Sequence, residues 1–357
     1  MKHRLFIIIA ALAALGSMTT SCFRGDEFVA AFDGDHKTPI SFNVNIGTLP
    51  APQVSTRSGA DTSGGNVSEL EGTKGYTTSS ATSGYTFVGG EYITLAVTGK
   101  GVTSRPTTEI MKQYTVAAGS SGSNALTYAK DADGSTTTYA FDWLGTGETI
   151  SLRAWSDGKA STPAAPATDP DGQLFTIETT QVGSVRELLY SPAADYSYAT
   201  ASGAINIPLY HQLARVVITV THDDTTNPAT AITIGCAADK VPVTGTFTKP
   251  ASGNNYGTWA VSPIGTTPAH WGVITPKQES AGVYSAVLIP ATYASGTRLV
   301  NFIVGGQDFA YTLPAAATLA PGKQYNYDIT VRNGLVTFTV SVTPWGSQNN
   351  NVSFPTS

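Results

Sequence analysis

Apolar and polar positions alternate strictly through Ile40-Ser41-Phe42-Asn43-Val44-Asn45-Ile46, so every second side chain points to the same face. That period belongs to a strand with one buried and one wet face. The pattern returns near the other end, where Val336, Phe338, Val340 and Val342 alternate with hydroxyl residues between Leu335 and Thr343. Between these two runs, stretches rich in aromatic and β-branched residues predict strands over Tyr85–Val97, Gln113–Val116, Ala125–Tyr128, Thr136–Trp143, Thr149–Trp155 and Phe175–Thr179. Val182–Tyr190 fits either a strand or a single helical turn. A second block opens with Ile205, Ile207, Leu209, His211 and Leu213 on alternate positions and continues through Ala214–Val220. Further strands are expected over Ala231–Cys236, Val243–Phe247, Tyr256–Ser262, Val283–Ile289, Leu299–Val304, Asp308–Leu313 and Tyr325–Val331. Nothing after the first 21 residues sustains a helical period. The pattern predicts an all-β chain of two tandem β-sandwich domains, 38–204 and 205–345, followed by a tail at 346–357.

Polar stretches separate these blocks. A Ser/Thr/Gly-rich run from Ser55 to Gly84, with Arg57 and Lys74 as its only cations, reads as a mobile loop. Lys130-Asp131-Ala132-Asp133-Gly134 reads as a turn. The first 21 residues have a basic start, a short apolar core and small residues before Cys22, the layout of a secretory signal peptide. Its apolar run falls short of the roughly 20 residues that span a bilayer. A cysteine at that position is where bacterial lipoproteins are acylated, although Thr19 stands where leucine is usual. Lipidation of Cys22 is therefore expected over plain secretion. Residues 22–37, with Asp26, Glu27, Asp33 and Asp35, read as an acidic tether. Arg24-Gly25-Asp26 lies in it as a chance match to an adhesion triplet.

Composition narrows the function. The 357 residues include only two cysteines, so with Cys22 lipidated, Cys236 is alone and reads as a small buried apolar residue. Charged residues make up 13% of the chain, about half the usual share of roughly 25%. A net charge of −5 without a basic stripe argues against nucleic acid. A hydrophobic content of 41% argues for a folded core.

Catalytic signatures are missing from the sequence: no Gly-x-Ser-x-Gly, no His-Glu-x-x-His and no phosphate-cradling loop. No enzyme, metal or cofactor is expected. His211, on the apolar side of its strand, reads as a satisfied, partly buried histidine rather than a catalytic one. His222-Asp223-Asp224 offers three possible metal ligands but reads as a turn, because it lies at a strand end before Asn227-Pro228. Asp131-x-Asp133-Gly134 and Asp169-x-Asp171-Gly172 read as turns because each lacks the remaining ligands of a calcium loop. Trp143, Trp155, Trp259 and Trp271 read as core residues, against the alternative that they stack on sugars.

Taken together, the lipoprotein leader, the acidic tether, strand Ile40–Ile46 and Ser55-Thr56-Arg57-Ser58 begin a recognisable order. Leu188-Leu189-Tyr190, His211-Gln212-Leu213-Ala214-Arg215, Leu288-Ile289-Pro290, Leu319-Ala320-Pro321-Gly322-Lys323-Gln324-Tyr325-Asn326-Tyr327 and Trp345 complete it. In this order the chain resembles the fimbrillin (Mfa-like, type V pilin) family of Gram-negative anaerobes. The resemblance implies two transthyretin-like β-sandwich domains and a surface pilus subunit serving adhesion, exported as a lipoprotein to the outer membrane. It implies cleavage after Arg57 by a trypsin-like protease and loss of the strand carrying Ile40, Phe42, Val44 and Ile46. The donor strand of a neighbouring subunit would carry Val336, Phe338, Val340 and Val342. Partners would then be other pilus subunits, joined by β-strand addition, and the membrane through the lipid on Cys22. The tail 346–357 departs from the family pattern, and Val352 and Phe354 alternate as if they too belonged to the donor. The competing reading is a surface lipoprotein that binds glycans.

Overall fold

The computed structural model describes residues 38–46, 87, 90–100, 105, 107–117, 124–134, 140–145, 147–157, 167–181, 186–199, 203–222, 229–264, 266–332, 335–345 and 352–354. Apart from one 3-10 turn at Pro268–His270, the regular elements among them are strands, as the alternation predicts.

Seven strands close into a barrel. They are β1 (Phe42–Ile46), β2 (Tyr92–Lys100), β3 (Ile110–Val116), β4 (Asn124–Asp131), β5 (Thr149–Ser156), β6 (Leu189–Ser197) and β7 (Ile205–His211). Their order is β7-β1-β4-β3-β2-β5-β6, and β6 pairs with β7 to close the ring. Inward positions alternate along each strand, and Phe42, Val44, Leu95, Val97, Ile150, Leu152, Ile207 and Leu209 form one buried cluster. In this half the strands of the expected β-sandwich join into one closed sheet. β7, expected at the head of the second block, is a stave of the first sheet. Its partner β1 lies far away in sequence, so no local signal could assign it.

The second half is built on a six-stranded sheet of β8 (Ala214–His222), β9 (Lys277–Ser280), β10 (Val283–Leu288), β11 (Lys323–Arg332), β12 (Leu335–Pro344) and β13 (Val352–Phe354). The order is β9-β10-β8-β11-β12-β13, with only β8 and β11 parallel. Two smaller sheets share its core: Thr230–Ile234 with Arg298–Val304 and Gln307–Thr312, and Leu174–Thr176 with Thr244–Thr248 and Thr258–Ala260. Val216, Ile218, Leu299, Phe302, Tyr327 and Ile329 meet there, the layering of a β-sandwich. Leu174–Thr176 precedes β6 and β7 in sequence yet pairs with Thr244–Thr246 of the second half, so the halves are interleaved. On β8 the even positions face this core. Arg215 lies on the opposite face at 1% exposure, and among the described residues its Nε and Nη2 meet no hydrogen-bond partner.

Gln212 makes the passage from barrel to sandwich. Its side-chain Nε2 donates to Tyr210 O (3.0 Å) and Asn255 O (3.1 Å), while Oε1 accepts the Gly257 amide (2.8 Å). Its backbone carbonyl accepts the Trp259 indole N–H at 2.7 Å. A fully buried amide side chain is tolerated there because its donors and acceptor are used.

Candidate assembly strands

The strand expected to be displaced is a core element. β1 runs parallel to β7 through five residue pairs, from Phe42 opposite Ile205 to Ile46 opposite Leu209. Against β4 it pairs, among the described residues, at Asn43–Ala125 and Val44–Asn124. The Ile205 amide donates to Ser41 O (2.8 Å), the Ile40 amide to Phe141 O (2.9 Å), and Asn43 Nδ2 to Asn206 Oδ1 (3.1 Å). Ile40, Phe42, Val44 and Ile46 are exposed by 4%, 1%, 0% and 6%, so all four residues singled out on this strand are buried. The Phe42 ring meets Tyr114 edge-on at 5.5 Å and Phe141 at 6.4 Å. Burial pushes the Tyr114 phenol well above its ordinary range, and its oxygen accepts the Phe141 amide at 3.0 Å.

The strand expected to be donated is β12, and it completes the chain's own sheet. It pairs with β11 over ten residue pairs, from Leu335 opposite Arg332 to Pro344 opposite Lys323. Among the described residues, β13 covers its other side at Val340–Val342. Val340 is buried, whereas Val336, Phe338 and Val342 are half-buried against the second core. The Phe338 ring packs on Tyr311 at 5.2 Å and Phe302 at 6.0 Å. Alternation predicts this strand correctly; which sheet it completes is not written in the alternation.

A buried joint ties the ends of β7 and β12 together. The His211 ring stacks on Trp345 at 4.0 Å with 6° between the planes, and His211 Nδ1 bonds the Glu187 carboxylate. All three residues are at most 3% exposed. The Trp345 amide donates to Gly322 O (2.8 Å), and the Gly322 amide donates to Leu213 O (2.9 Å). Gly322 has φ +68°, and a Cβ there would lie 2.1 Å from the Tyr256 ring, so only glycine fits. The sequence suggests a partly buried histidine, and the structure buries it almost completely. Its partner Glu187 is missed, since a single acid in an apolar run carries no pairing signal.

The remaining candidates resolve locally. The turn after β4 closes with the Gly134 amide donating to Asp131 O at 2.9 Å. In the second acidic turn the Asp171 amide donates to Asp169 Oδ1 (3.1 Å), and both carboxylates bind cations, Asp169 to Arg153 and Asp171 to Lys249. Cys236 is half-buried with its thiol 3.7 Å from Asp239 Oδ2. Trp143 and Trp155 are buried, and the half-buried Trp259 and Trp271 each donate from the indole nitrogen to a backbone carbonyl. Among the described residues no cluster of His, Cys, Asp or Glu has metal-binding geometry. Cys22, Arg24–Asp26, Arg57, the loop from Ser55 to Gly84 and Asp223–Asp224 lie outside the described residues.

A search of curated protein sequences returns no match. Among solved structures, a candidate cell adhesion protein from Bacteroides ovatus is similar at 16% identity and a TM-score of 0.54, covering 88% of this chain and 100% of that one. Another from Bacteroides uniformis has 16% identity and a TM-score of 0.50, covering 72% and 92%. The tip fimbrial protein Mfa3 from Porphyromonas gingivalis aligns at 9% identity and a TM-score of 0.44, covering 87% and 100%. For the two Bacteroides proteins the likeness is one of fold. The sequence profile of fimbrillin-like proteins matches residues 77–345, most of the strand-forming chain, and the protein belongs to the fimbrillin-like family.

Proposed function

We propose that this fimbrillin-like protein is a structural pilus subunit, exported as a lipoprotein acylated at Cys22 and assembled at the outer membrane by strand exchange. Cleavage after Arg57 severs β1 from the rest of the chain, and β12 of a neighbouring subunit takes its seat. The observation that carries this reading is the way β1 is held. It is the first stave in sequence, paired parallel to β7 through five residues, and it fills the barrel core with four apolar side chains.

Burying those side chains is worth about 1.5–3 kcal/mol each, comparable in sum to the whole stability of a domain. A cut alone therefore leaves β1 in place. An incoming strand with the same apolar alternation compensates for its loss by ladder pairing and burial, the physics of β-strand addition. Val336, Phe338, Val340 and Val342 repeat the spacing of Ile40, Phe42, Val44 and Ile46. Three of the four are only half-buried where they now lie, so full burial in a neighbour's barrel is a gain.

The test is a chain ending at Asn333. Treated with a trypsin-like protease, it should be cut after Arg57 but remain monomeric, while the full chain builds heat-resistant ladders on a gel. Filaments from the shortened chain would remove β12 from the donor role. A full chain that resists cutting and stays monomeric would overturn the exchange mechanism.

A further inference from the structure

The outer face of the barrel carries a polar depression that strand exchange leaves unused. Thr98 on β2 lies opposite Ser151 on β5, and Ser151 lies opposite Asp195 on β6, so three polar residues form one row across the sheet. In the neighbouring row Ala96 lies opposite Arg153. Lys100, Glu109, Tyr190 and the segment Lys249–Ser252 of the second half complete a cavity of about 530 Å³. That volume falls within the roughly 300–1,000 Å³ of small-molecule sites.

The charges of this cavity are already matched. Arg153 grips Glu109 with Nε (2.6 Å) and Nη2 (2.5 Å), while its Nη1 reaches Asp169 (2.6 Å) and the Tyr190 hydroxyl (3.0 Å). Lys100 pairs with Asp195 at 2.6 Å, and Lys249 with Asp171 at 2.9 Å. An anionic ligand would have to displace a carboxylate from each cation, so the site does not select for charge. It offers instead a dense set of fixed hydrogen-bonding groups. The carboxylates of Glu109 and Asp195 keep free lone pairs, each ammonium keeps further N–H donors, and Thr98, Ser151 and Ser252 add hydroxyls. The Tyr190 oxygen accepts from Arg153 and so retains its own proton to donate. Burial pushes that phenol's pKa up, against the opposing pull of Arg153. Polar groups one strand apart repeat at about 4.8 Å. Alternate equatorial hydroxyls around a sugar ring repeat at a similar spacing.

We infer that this depression binds a neutral pyranose, one sugar of a surface glycan, with two neighbouring members of the Thr98–Ser151–Asp195 row reading alternate ring hydroxyls. The site does not depend on β1 or β12, so it stands or falls apart from the assembly reading.

The experiment is saturation-transfer NMR and calorimetry on the full chain with the methyl pyranosides of glucose, galactose, mannose and N-acetylglucosamine. Glucuronic acid and N-acetylneuraminic acid serve as charged comparators. Saturable binding of at least one neutral glycoside is expected. Asp195→Ala should weaken it by about tenfold or more, and Ser151→Trp, which fills the cavity, should abolish it at an unchanged melting temperature. If Ser151→Trp does not fold, Asp195→Ala decides, because the Lys100–Asp195 pair is about half exposed and dispensable for folding. Absence of binding by every neutral glycoside overturns the inference, as do tighter binding of the acids and indifference to both substitutions. Filament formation by the same variants is scored separately, so a lost sugar site and a lost assembly route give different results.

Discussion

A single side chain can oppose the fold that contains it. Arg215 is almost fully buried and, among the described residues, has no acidic partner and leaves two guanidinium nitrogens without hydrogen bonds. A buried charge with poor compensation is often better replaced by an apolar residue of similar volume. Arg215→Met should therefore stabilise the chain by about 1–4 kcal/mol, read as a higher urea midpoint at an unchanged slope. A fall in the midpoint would mean that the guanidinium is satisfied in solution. Residues of this kind show the limit of reading sequence alone. Arg215 follows Ala214 at the head of an obvious strand, and alternation gives its face correctly. Whether that face is wet depends on what packs over it, and the strand itself holds no trace of that.

Elements were legible in proportion to how local their signal is. β1 and β12 announce themselves because a period of two needs only a few residues. The pairing of β1 with β7 was not legible, since parallel partners distant in sequence are chosen by the closing of the barrel. Leu174–Thr176 was legible as a strand, but its allegiance to the second half was not. The joint of His211, Glu187 and Trp345 likewise assembles residues from three distant places. It fixes the end of β12, so Trp345→Ala should cost about 3–5 kcal/mol and loosen that strand first. Hydrogen exchange should accelerate at the amides of β11 and β12 that pair with each other, with β2 and β5 still protected. Uniform acceleration over both halves would show that Trp345 supports the whole core rather than β12.

At the scale of the whole molecule the two halves share packing. Trp155 and Tyr190, carried by barrel strands, stack at 6.3 Å and belong to the sandwich core, where Tyr190 meets Phe247 at 5.6 Å. Gln212 and the Leu174–Thr176 pairing bind the halves further. Heat should therefore unfold the chain in one calorimetric transition. Tyr190→Ala, by hollowing the shared contact, should separate it into two. Two transitions in the unaltered chain would show instead that each half is stable alone. The overall class and the strands β1 and β12 could be read from the sequence; this interleaving could not, because it rests on contacts between segments that look self-sufficient.

The closure of the barrel has a consequence of its own. A strand at the rim of an open sheet can be lost and leave the sheet one strand narrower, still free to accept any number of newcomers. β1 is enclosed on both sides, so its removal leaves a slot about two strand spacings wide, roughly 10 Å, bounded by β7 and β4. A slot of that width takes one strand and no more. Whatever occupies it, the stoichiometry is fixed by geometry at one in for one out, and a chain assembled this way can lengthen but cannot branch at the barrel.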